Sequence, residues 1–353
     1  MRTTVRFGLI IISTAFAFGL VAAIFAWSEK IIHYQNNFTR RFPPHAAQQV
    51  HSLDLKFNSY YFAGSYQNKI YLGNFTAPLQ VMIIDTTLKT KTTVHIELKE
   101  KDLPFQTPQL RVLKDRFFVY EGTYPYIYKG DTSLWIAALV TKKGQKFSQL
   151  EPITENLMAV RYDAPNTGEN LIGTIDLKQS GKNAWNITLL QKQIDGIFDT
   201  DGQLQTDVST RTIIYTYLYR NQYTVVGSDL KLKYRGNTID TVTKAKIVLE
   251  KVHDGTKTTM AAPPLTVNRI TAVGNSLLFV NSTLPGQHER DDLWKTASII
   301  DVYDLKDHSY QGTIPIFFVD GKKLRAMYIY GDHLFALINN ELVSYYLRKH
   351  LTN

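Results

Sequence analysis

The chain has 353 residues, of which 44% are hydrophobic and 20% charged, a balance typical of a globular protein and not of a disordered or wholly membrane-embedded one. It contains no cysteine, which excludes disulfides, Cys-ligated metal centres, thiol catalysis and lipoprotein anchoring. Forty Lys and Arg against 31 Asp and Glu give a formal net charge of +9. These charges are scattered without a dense basic run, so no nucleic-acid partner is expected. The mildly basic surface is compatible with weak attraction to anionic lipid headgroups.

The N-terminal segment 7–27, FGLIIISTAFAFGLVAAIFAW, has no charged side chain. As a helix it would be about 31 Å long, enough to cross a bilayer core of roughly 30 Å. Arg2 and Arg6 precede it, which favours a cytoplasmic N-terminus and export of the rest of the chain. The pattern predicts a cytoplasmic tail at 1–6, a transmembrane anchor at 7–27 and a stalk at 28–47.

Two other interpretations of this segment compete with an uncleaved anchor. A cleaved signal peptide usually has a shorter apolar core followed by a small-residue cleavage site. Here the core is long and ends FAWSEKIIHY, without a clean A-x-A site, which favours the anchor. The third interpretation is a buried helix. Since no other stretch approaches 18 apolar residues, we expect a single-pass protein of the inner membrane, with its C-terminal domain outside the cytoplasm.

Two short signals recur in the same order from Gln48 onward. The first is a turn residue followed at once by an apolar strand; the second is a further apolar strand, mostly ending in Asp-x-x-Leu or Asp-Leu. The first signal begins at Asn68, Asp115, Asn156, Thr210, Asn275 and Asp332, and the second ends near Asp85, Asp131, Asp176, Asp229, Asp304 and Leu347. Hairpins that end in Asp occur in any all-β chain, but that alone does not easily explain two interleaved signals.

The repeat predicts an all-β fold, a six-bladed β-propeller over 48–353 behind the N-terminal transmembrane helix. One four-stranded sheet cannot bury both of its faces, whereas a ring of such sheets packs face to face and leaves only short edges. The last repeat, which ends at Asn353, lacks a fourth strand, while 50–57 precedes the first repeat as a spare strand. We therefore expect 50–57 to complete the last blade.

Motifs for metals and catalysis are weak. Nine histidines are scattered without metal-binding spacing, and neither a nucleophile elbow nor a phosphate loop is present. The acidic stretch with Asp195, Asp199, Asp201 and Asp207 resembles the start of a calcium loop, but it lacks the twelfth-position Glu, so a turn is favoured over calcium. No catalytic residue, metal or cofactor is predicted.

One fragment is similar to a cofactor motif. Ile175–Trp185, IDLKQSGKNAW, resembles the docking motif D-x-x-T-G-K-x-x-W of quinoprotein propellers. Its Asp-to-Gly gap is one residue too long, Ser replaces Thr, and only one copy exists. The favoured interpretation is that Trp185 packs within its blade.

Ser282–Ala297 is far longer than the corresponding loops of the other repeats. Long loops on rigid scaffolds are disproportionately functional, although a solvated insertion is the slightly favoured interpretation. In β-propellers, which this chain resembles, loops of this kind share a face with those between blades, so we expect Asp195–Gln205 on the same side. The candidate ligand- or partner-binding residues are His288, Arg290, Asp291, Asp292, Trp294, Asp195, Asp199 and Asp201.

Three stretches, SYYFAGSYQNKIYLGNFTAPLQVMIIDTTL, YRGNTIDT and SIIDVYDLKDHSYQGTIPI, resemble an uncharacterised family of exported proteins from Bacteroidota. The resemblance covers most of the exported domain. It implies a propeller and the Gram-negative periplasm, and it assigns no residue a role.

These observations predict a membrane-anchored periplasmic propeller that acts as a protein- or ligand-binding scaffold or sensor, with a protein partner in or at the inner membrane. The alternatives are a propeller enzyme (a lyase, hydrolase or quinone-dependent oxidoreductase) or a non-catalytic subunit of a membrane redox complex. Convergent charged groups around an ion in the central pocket would indicate an enzyme, and an apolar or tyrosine-lined pocket would favour binding.

Overall fold

A computed structural model describes residues 2–32, 36–100, 106–142, 144–179, 182–252 and 257–348. The predicted C-terminal end at Asn353 and part of the cofactor-like fragment, residues 180–181, lie outside the described residues. The described chain is all-β and propeller-like, with two α-helices, α1 (Arg2–Ile32) and α2 (Asp291–Thr296), and a short 3-10 turn at Leu177–Gln179.

The strands in chain order are β1 (Ala47–Asp54), β2 (Tyr60–Tyr66), β3 (Lys69–Asn74), β4 (Gln80–Asp85), β5 (Lys91–His95), β6 (Glu97–Leu98), β7 (Gln109–Leu113), β8 (Arg116–Glu121), β9 (Tyr126–Asp131), β10 (Ile136–Thr141), β11 (Phe147–Pro152), β12 (Leu157–Asp163), β13 (Asn170–Asp176), β14 (Lys182–Asn186), β15 (Gly202–Asp207), β16 (Thr212–Tyr217), β17 (Gln222–Gly227), β18 (Leu232–Asn237), β19 (Leu249–Val252), β20 (Lys257–Met260), β21 (Asn268–Gly274), β22 (Leu277–Ser282), β23 (Ala297–Asp304), β24 (Tyr310–Phe317), β25 (Leu324–Tyr330), β26 (His333–Ile338) and β27 (Glu341–Leu347).

These strands form antiparallel four-stranded units in sequence order. A nine-stranded sheet contains unit 1 (β2–β5) and unit 2 (β7–β10), joined by a short parallel pairing of β2 with β7; β6 adds to its edge. Unit 3 is β11–β14, unit 4 is β15–β18 and unit 5 is β21–β24. Unit 6 has the order β25-β26-β27-β1, so its fourth strand comes from the N-terminal end of the domain. The hairpin β19–β20 pairs with no other described strand.

The two recurring sequence signals correspond to two kinds of turn. In units 1, 2, 4, 5 and 6 a residue before the second strand takes a left-handed backbone conformation, as at Asn68 (φ 58°) and Asn275 (φ 56°). Asn tolerates this conformation better than most residues. An Asp at or just after the end of the third strand accepts a backbone N–H two residues on, as Asp131 does from Ser133 at 2.8 Å. Equivalent bonds occur at Asp85, Asp176, Asp229 and Asp304. The repeat is therefore a repeat of turn chemistry.

The hydrophobic core consists of layers between neighbouring units. Adjacent residues of a second strand point to opposite faces, so Phe117 packs towards unit 1 while Phe118 packs towards unit 3. This explains why the second strands are continuous apolar runs. Units 6 and 1 share one such layer, which includes Phe335 and Ile70. The remaining layers join units 3 and 4, 4 and 5, and 5 and 6.

The spare segment 50–57 overlaps strand β1, which pairs antiparallel with β27 from Ala47↔Leu347 to Asp54↔Glu341. Just beyond the strand, the Leu55 N–H donates to the Asn340 carbonyl at 2.9 Å. Leu55 itself is 2% exposed and packs in the layer between units 6 and 1.

The segment 28–47 is predicted to be a stalk, and the structure differs over its second half. Residues 36–46 lie against unit 5, with Arg40 buried and Asn36 bonded to the Pro285 carbonyl. An arginine surrounded by acceptors anchors this segment to the domain.

The N-terminal anchor is not confirmed by the structure. Among the described residues, no helix combines the length and the apolar character that a membrane crossing requires. The side chains described within α1 between 10 and 24 are exposed.

Candidate functional site

The first strands of all the units surround a central channel of about 910 Å³. These strands, β2, β7, β11, β15, β21 and β25, all begin on the side of the molecule that carries the loops between units. Side chains of every one of them line the channel, among them Tyr61, Arg111, Glu151, Gln205, Arg269 and Tyr328. A concavity of this size suits a small organic ligand.

Polar contacts join neighbouring inner strands around the channel. Gln149 of β11 donates to the Gly202 carbonyl and accepts from the Leu204 N–H, both at 2.7 Å. Gln203 of β15 contacts the backbone of β21 in the same way, accepting from the Thr271 N–H at 2.8 Å. In each case the side-chain amide of one inner strand bonds to the backbone of the next inner strand. These bonds take the place of the backbone–backbone hydrogen bonds that would join the two strands in a continuous sheet.

The other neighbours are linked differently. Arg111 of β7 donates to Glu151 of β11 at 2.7 and 2.9 Å. The hydroxyls of Ser65 in β2 and Tyr328 in β25 lie 3.0 Å apart, and the Asn275 amide at the end of β21 donates to a carbonyl of unit 6 at 2.8 Å. With the β2–β7 pairing, these links run through every inner strand and back to the first.

The cations of the channel fall into two groups. Arg111 is paired with Glu151, which raises the pKa of the guanidinium although burial opposes this shift. Arg325 donates to the backbone carbonyls of Asn339 and Tyr60 and so joins unit 6 to unit 1. By contrast, Arg269 and Lys114 are exposed and have no ion-pair partner among the described residues. Positive charge in the channel is therefore available to a ligand.

Both carboxylates that line the channel are already engaged. Glu151 accepts from Arg111, and Asp207 accepts from the Ser209 N–H at 2.9 Å and from its hydroxyl at 2.6 Å. Burial raises the pKa of Tyr328, so its hydroxyl stays protonated at neutral pH. Among the described residues, no group of three or more His, Asp or Glu side chains is arranged to hold a metal ion. The channel offers hydrogen bonds and positive charge, and its two carboxylates already accept hydrogen bonds from protein groups.

The aromatic residue Phe75 stands at the loop-side mouth of this channel. It is 59% exposed, lies with its ring centroid 4.5 Å from that of Tyr61, and its N–H donates to the Ser59 carbonyl at 3.0 Å. An exposed ring held by backbone and aromatic contacts can stack on a flat or ring-shaped ligand.

The acidic stretch before β15 is a tightly bonded turn. Asp195 accepts the N–H groups of Ile197 and Phe198, each at 3.0 Å. Asp199 is 1% exposed; burial raises its pKa, but backbone N–H bonds, including that of Gly196, outweigh burial and lower it. Asp201 pairs with Arg161 of unit 3. These carboxylates shape the connection between units 3 and 4.

The long loop between β22 and β23 contains α2 and holds the segment 36–46. Trp294 is half-buried, and its Nε1 donates to Glu289 at 2.7 Å. Arg290 forms an exposed ion pair with Asp292 at 2.6 Å, with side chains 82% and 63% exposed. His288 and Asp291 are exposed too. The candidates predicted in this loop therefore form two groups. Trp294 makes a contact inside the domain, whereas His288, Arg290, Asp291 and Asp292 lie on the outer surface.

The segment 36–46 and the long loop together form a clasp, and Arg40 is at its centre. Its guanidinium donates to Asp301 at 2.8 and 3.0 Å, to Glu289 at 2.8 Å and to the Ser282 hydroxyl at 2.8 Å. The rings of Phe38 and Trp294 lie 4.8 and 5.4 Å from it. The sequence places Glu289 and Trp294 in a candidate recognition loop, and the structure gives both side chains an internal contact.

The two loops lie on the same side of the sheets. Arg220, in the turn after β16, lies 3.9 Å from Asp199, and Asn221 beside it donates to the Asp240 carbonyl. Two residues on, Val242 packs against Leu284 of the long loop. This series of contacts connects the acidic turn to the long loop.

Trp185 lies in the outer strand β14, 47% exposed, with its ring edge-on to Tyr162 at 5.9 Å between centroids. It contacts its own unit. The channel residues, including Arg269, were not predicted, because their only signal is a polar residue within the first strand of a unit.

Comparisons with known proteins give fold-level likeness only. No protein-family model matches the chain, and no curated protein matches it. A member of the DUF4221 family from Bacteroides vulgatus has a TM-score of 0.53 at 12% identity, covering 89% of this chain and 99% of that one. A protein of unknown function from Bacteroides thetaiotaomicron has a TM-score of 0.50 at 12% identity, covering 89% and 76%. These likenesses show the fold, shared with uncharacterised proteins of Bacteroides.

Proposed function

We propose that this protein is a membrane-anchored, periplasmic six-bladed propeller whose central channel binds a small organic anion. The observation that carries the proposal is Arg269, a channel-lining guanidinium that is exposed and has no ion-pair partner among the described residues. Because the other lining arginines are already engaged, Arg269 can pair with a carboxylate or phosphate without breaking an existing contact.

The blade count rests on the way the units meet. An apolar layer lies between each pair of consecutive units, from units 1 and 2 to units 5 and 6. A further layer lies between units 6 and 1. The polar links between inner strands occur in the same order. Each unit thus has two neighbours, which supports a closed ring of six blades.

The ligand is expected to combine a negative charge with a ring. Of the two cations without an ion-pair partner among the described residues, Arg269 lies near the start of β21, on the same loop side as Phe75. Lys114 follows the last residue of β7 and lies at the opposite end of the channel. A ring stacked on Phe75 and an anionic group at Arg269 would use both features of that mouth.

The anchor and the compartment are proposed from the sequence. Residues 7–27 are uncharged and long enough to cross a bilayer if helical. Their described large apolar side chains are exposed, at Ile10, Ile11, Ile12, Phe16, Phe18, Leu20, Val21 and Ile24. Apolar side chains without a protein partner suit a lipid environment, and Arg2 and Arg6 favour export of the propeller.

Binding is favoured over catalysis because the channel carboxylates Glu151 and Asp207 are both held by other groups. A carboxylate that acts as general acid or base must be free to reach the proton that it moves.

The test is a ligand screen on the full-length protein in detergent. Thermal unfolding is measured with 4-hydroxybenzoate, glucuronate and glucose 6-phosphate, and with the uncharged counterparts 4-hydroxybenzyl alcohol and glucose. The proposal predicts a saturable rise in Tm with at least one anion, absent with its uncharged counterpart and abolished by Arg269→Gln. No rise with any anion, or an equal rise with the uncharged compound, would contradict it.

A further inference from the structure

The hairpin β19–β20 interrupts the repeat on the side that carries the loops. It lies within the connection 238–267 between units 4 and 5. Its strands pair with each other, from Leu249↔Met260 to Val252↔Lys257, and with no other strand in the described part of the chain. An isolated two-stranded hairpin is at best marginally stable in water. This element therefore gains by resting on another surface.

The base of the hairpin is fixed to the domain. Gln193 donates to the Thr243 carbonyl at 2.9 Å and accepts from the Ala245 N–H at 2.9 Å. One residue earlier, Val242 packs with Phe38 of the clasped segment. The hairpin therefore leaves the domain beside the point where the chain arrives from α1.

The stretch of chain between α1 and Asn36 is short, so this side of the domain must lie near the end of α1. Helical rise from Trp27 to Ile32 is about 8 Å. Four further residues reach at most about 14 Å from Ile32 to Asn36, and Asn36 is bonded to the Pro285 carbonyl. If Trp27 marks the membrane interface, the clasp lies within about 22 Å of the apolar core.

The segment 244–251, which leads into the hairpin and ends in β19, is basic and partly apolar. Lys244 and Lys246 precede β19 and Lys251 lies in it; all three are exposed, as is the acidic Glu250. Val248, just before β19, is 64% exposed, and its carbonyl accepts from the Ala261 N–H. Lysine side chains near a membrane surface are attracted to anionic lipid headgroups. Exposed lysines beside an exposed Val give this segment both the charge and the apolar surface that a headgroup layer can contact.

We propose that the segment 244–251, with its exposed Lys244, Lys246, Val248 and Lys251, docks on the anionic surface of the membrane that holds α1, so that the loop-side mouth of the channel faces the bilayer. This proposal rests on the anchor in the proposed function. It goes beyond that function by assigning a contact surface, a lipid partner and an orientation.

The absence of native cysteine allows a direct test on the full chain. Val248→Cys carries a fluorophore in vesicles of phosphatidylglycerol and phosphatidylcholine, with nitroxide-labelled headgroups as quencher. Val208→Cys is the matched control, because Val208 is 38% exposed in the turn at the other end of β15. We expect the Val248 label to lose fluorescence and the Val208 label to keep it. Lys244→Gln, Lys246→Gln and Lys251→Gln combined should reduce the loss, as should vesicles of phosphatidylcholine alone.

The outcomes separate the two proposals. A chain that fails to float with vesicles overturns the anchor, and with it the orientation. A chain that floats but shows equal fluorescence from both labels overturns the contact of segment 244–251 alone. Shielding of the Val248 label by an added membrane-extract protein, without headgroup quenching, would also overturn the lipid contact and indicate a protein partner.

Discussion

Arg40 and Asp301 are 261 positions apart in sequence, yet two hydrogen bonds of 2.8 and 3.0 Å join them inside the domain. Thr313 also donates to Asp301. Burial raises the pKa of Asp301, despite the opposing effect of Arg40. The pair attaches the segment 36–46 to unit 5.

Arg40→Met should destabilise the domain by about 3–5 kcal/mol, because it leaves the carboxylate of Asp301 buried without its counter-ion. Arg41→Met is the control, since Arg41 is exposed. Urea unfolding monitored by tyrosine and tryptophan fluorescence measures both variants. Equal unfolding midpoints for the two would show that the clasp does not stabilise the domain.

Leu55→Ala should cost about 2–5 kcal/mol, because it opens a cavity in a buried layer. Leu55 is 2% exposed between units 6 and 1, whereas Phe57, two residues on, is 66% exposed. Phe57→Ala should therefore change stability by less than about 0.5 kcal/mol. The same denaturant titration compares them, and a Leu55 variant as stable as the Phe57 variant contradicts the role of this segment in closing the ring.

Gln203→Leu should lower stability by about 1–3 kcal/mol, because it leaves backbone groups of β21 without their partner. Gln205→Leu, in the same strand, removes no hydrogen bond described between protein groups and should be close to neutral. Hydrogen exchange at the Thr271 N–H gives a local reading, since this group donates to Gln203. Faster exchange in the first variant only is the expected result; unchanged exchange in both would refute the bridge.

The turn aspartates should make stability depend on acid pH. Hydrogen bonds from Ser133 lower the pKa of Asp131, and the Lys231 N–H lowers that of Asp229. A folded pKa below the unfolded one gives stability that is present above the unfolded value, about 4, and lost as pH falls through the folded value. Asp131→Asn with Asp229→Asn should flatten the pH dependence of the unfolding free energy between about pH 5 and pH 2. An unchanged slope would contradict this assignment.

The range of each interaction decides how much of the fold and of the site could be predicted. Turns such as that of Asp131 and apolar pairs such as Phe117 and Phe118 depend on neighbours in sequence. The repeat and the all-β class could therefore be predicted from the sequence. The contacts of Arg40 and Gln203 could not, because their partners lie far along the chain and no pattern marks them. Ser282–Ala297 was recognised as unusual, but its internal role depends on Arg40.

The central claim is anion binding in the channel, and calorimetric titration tests it most directly. The anion that raises the Tm in the screen is titrated into the wild-type protein, Arg269→Gln and Lys231→Gln, the last removing one charge from a side chain that is 86% exposed outside the channel. We expect saturable binding to the wild type and to Lys231→Gln, and at least about a tenfold weaker Kd for Arg269→Gln, corresponding to about 1.4 kcal/mol. Equal affinity of all three proteins would contradict the claim.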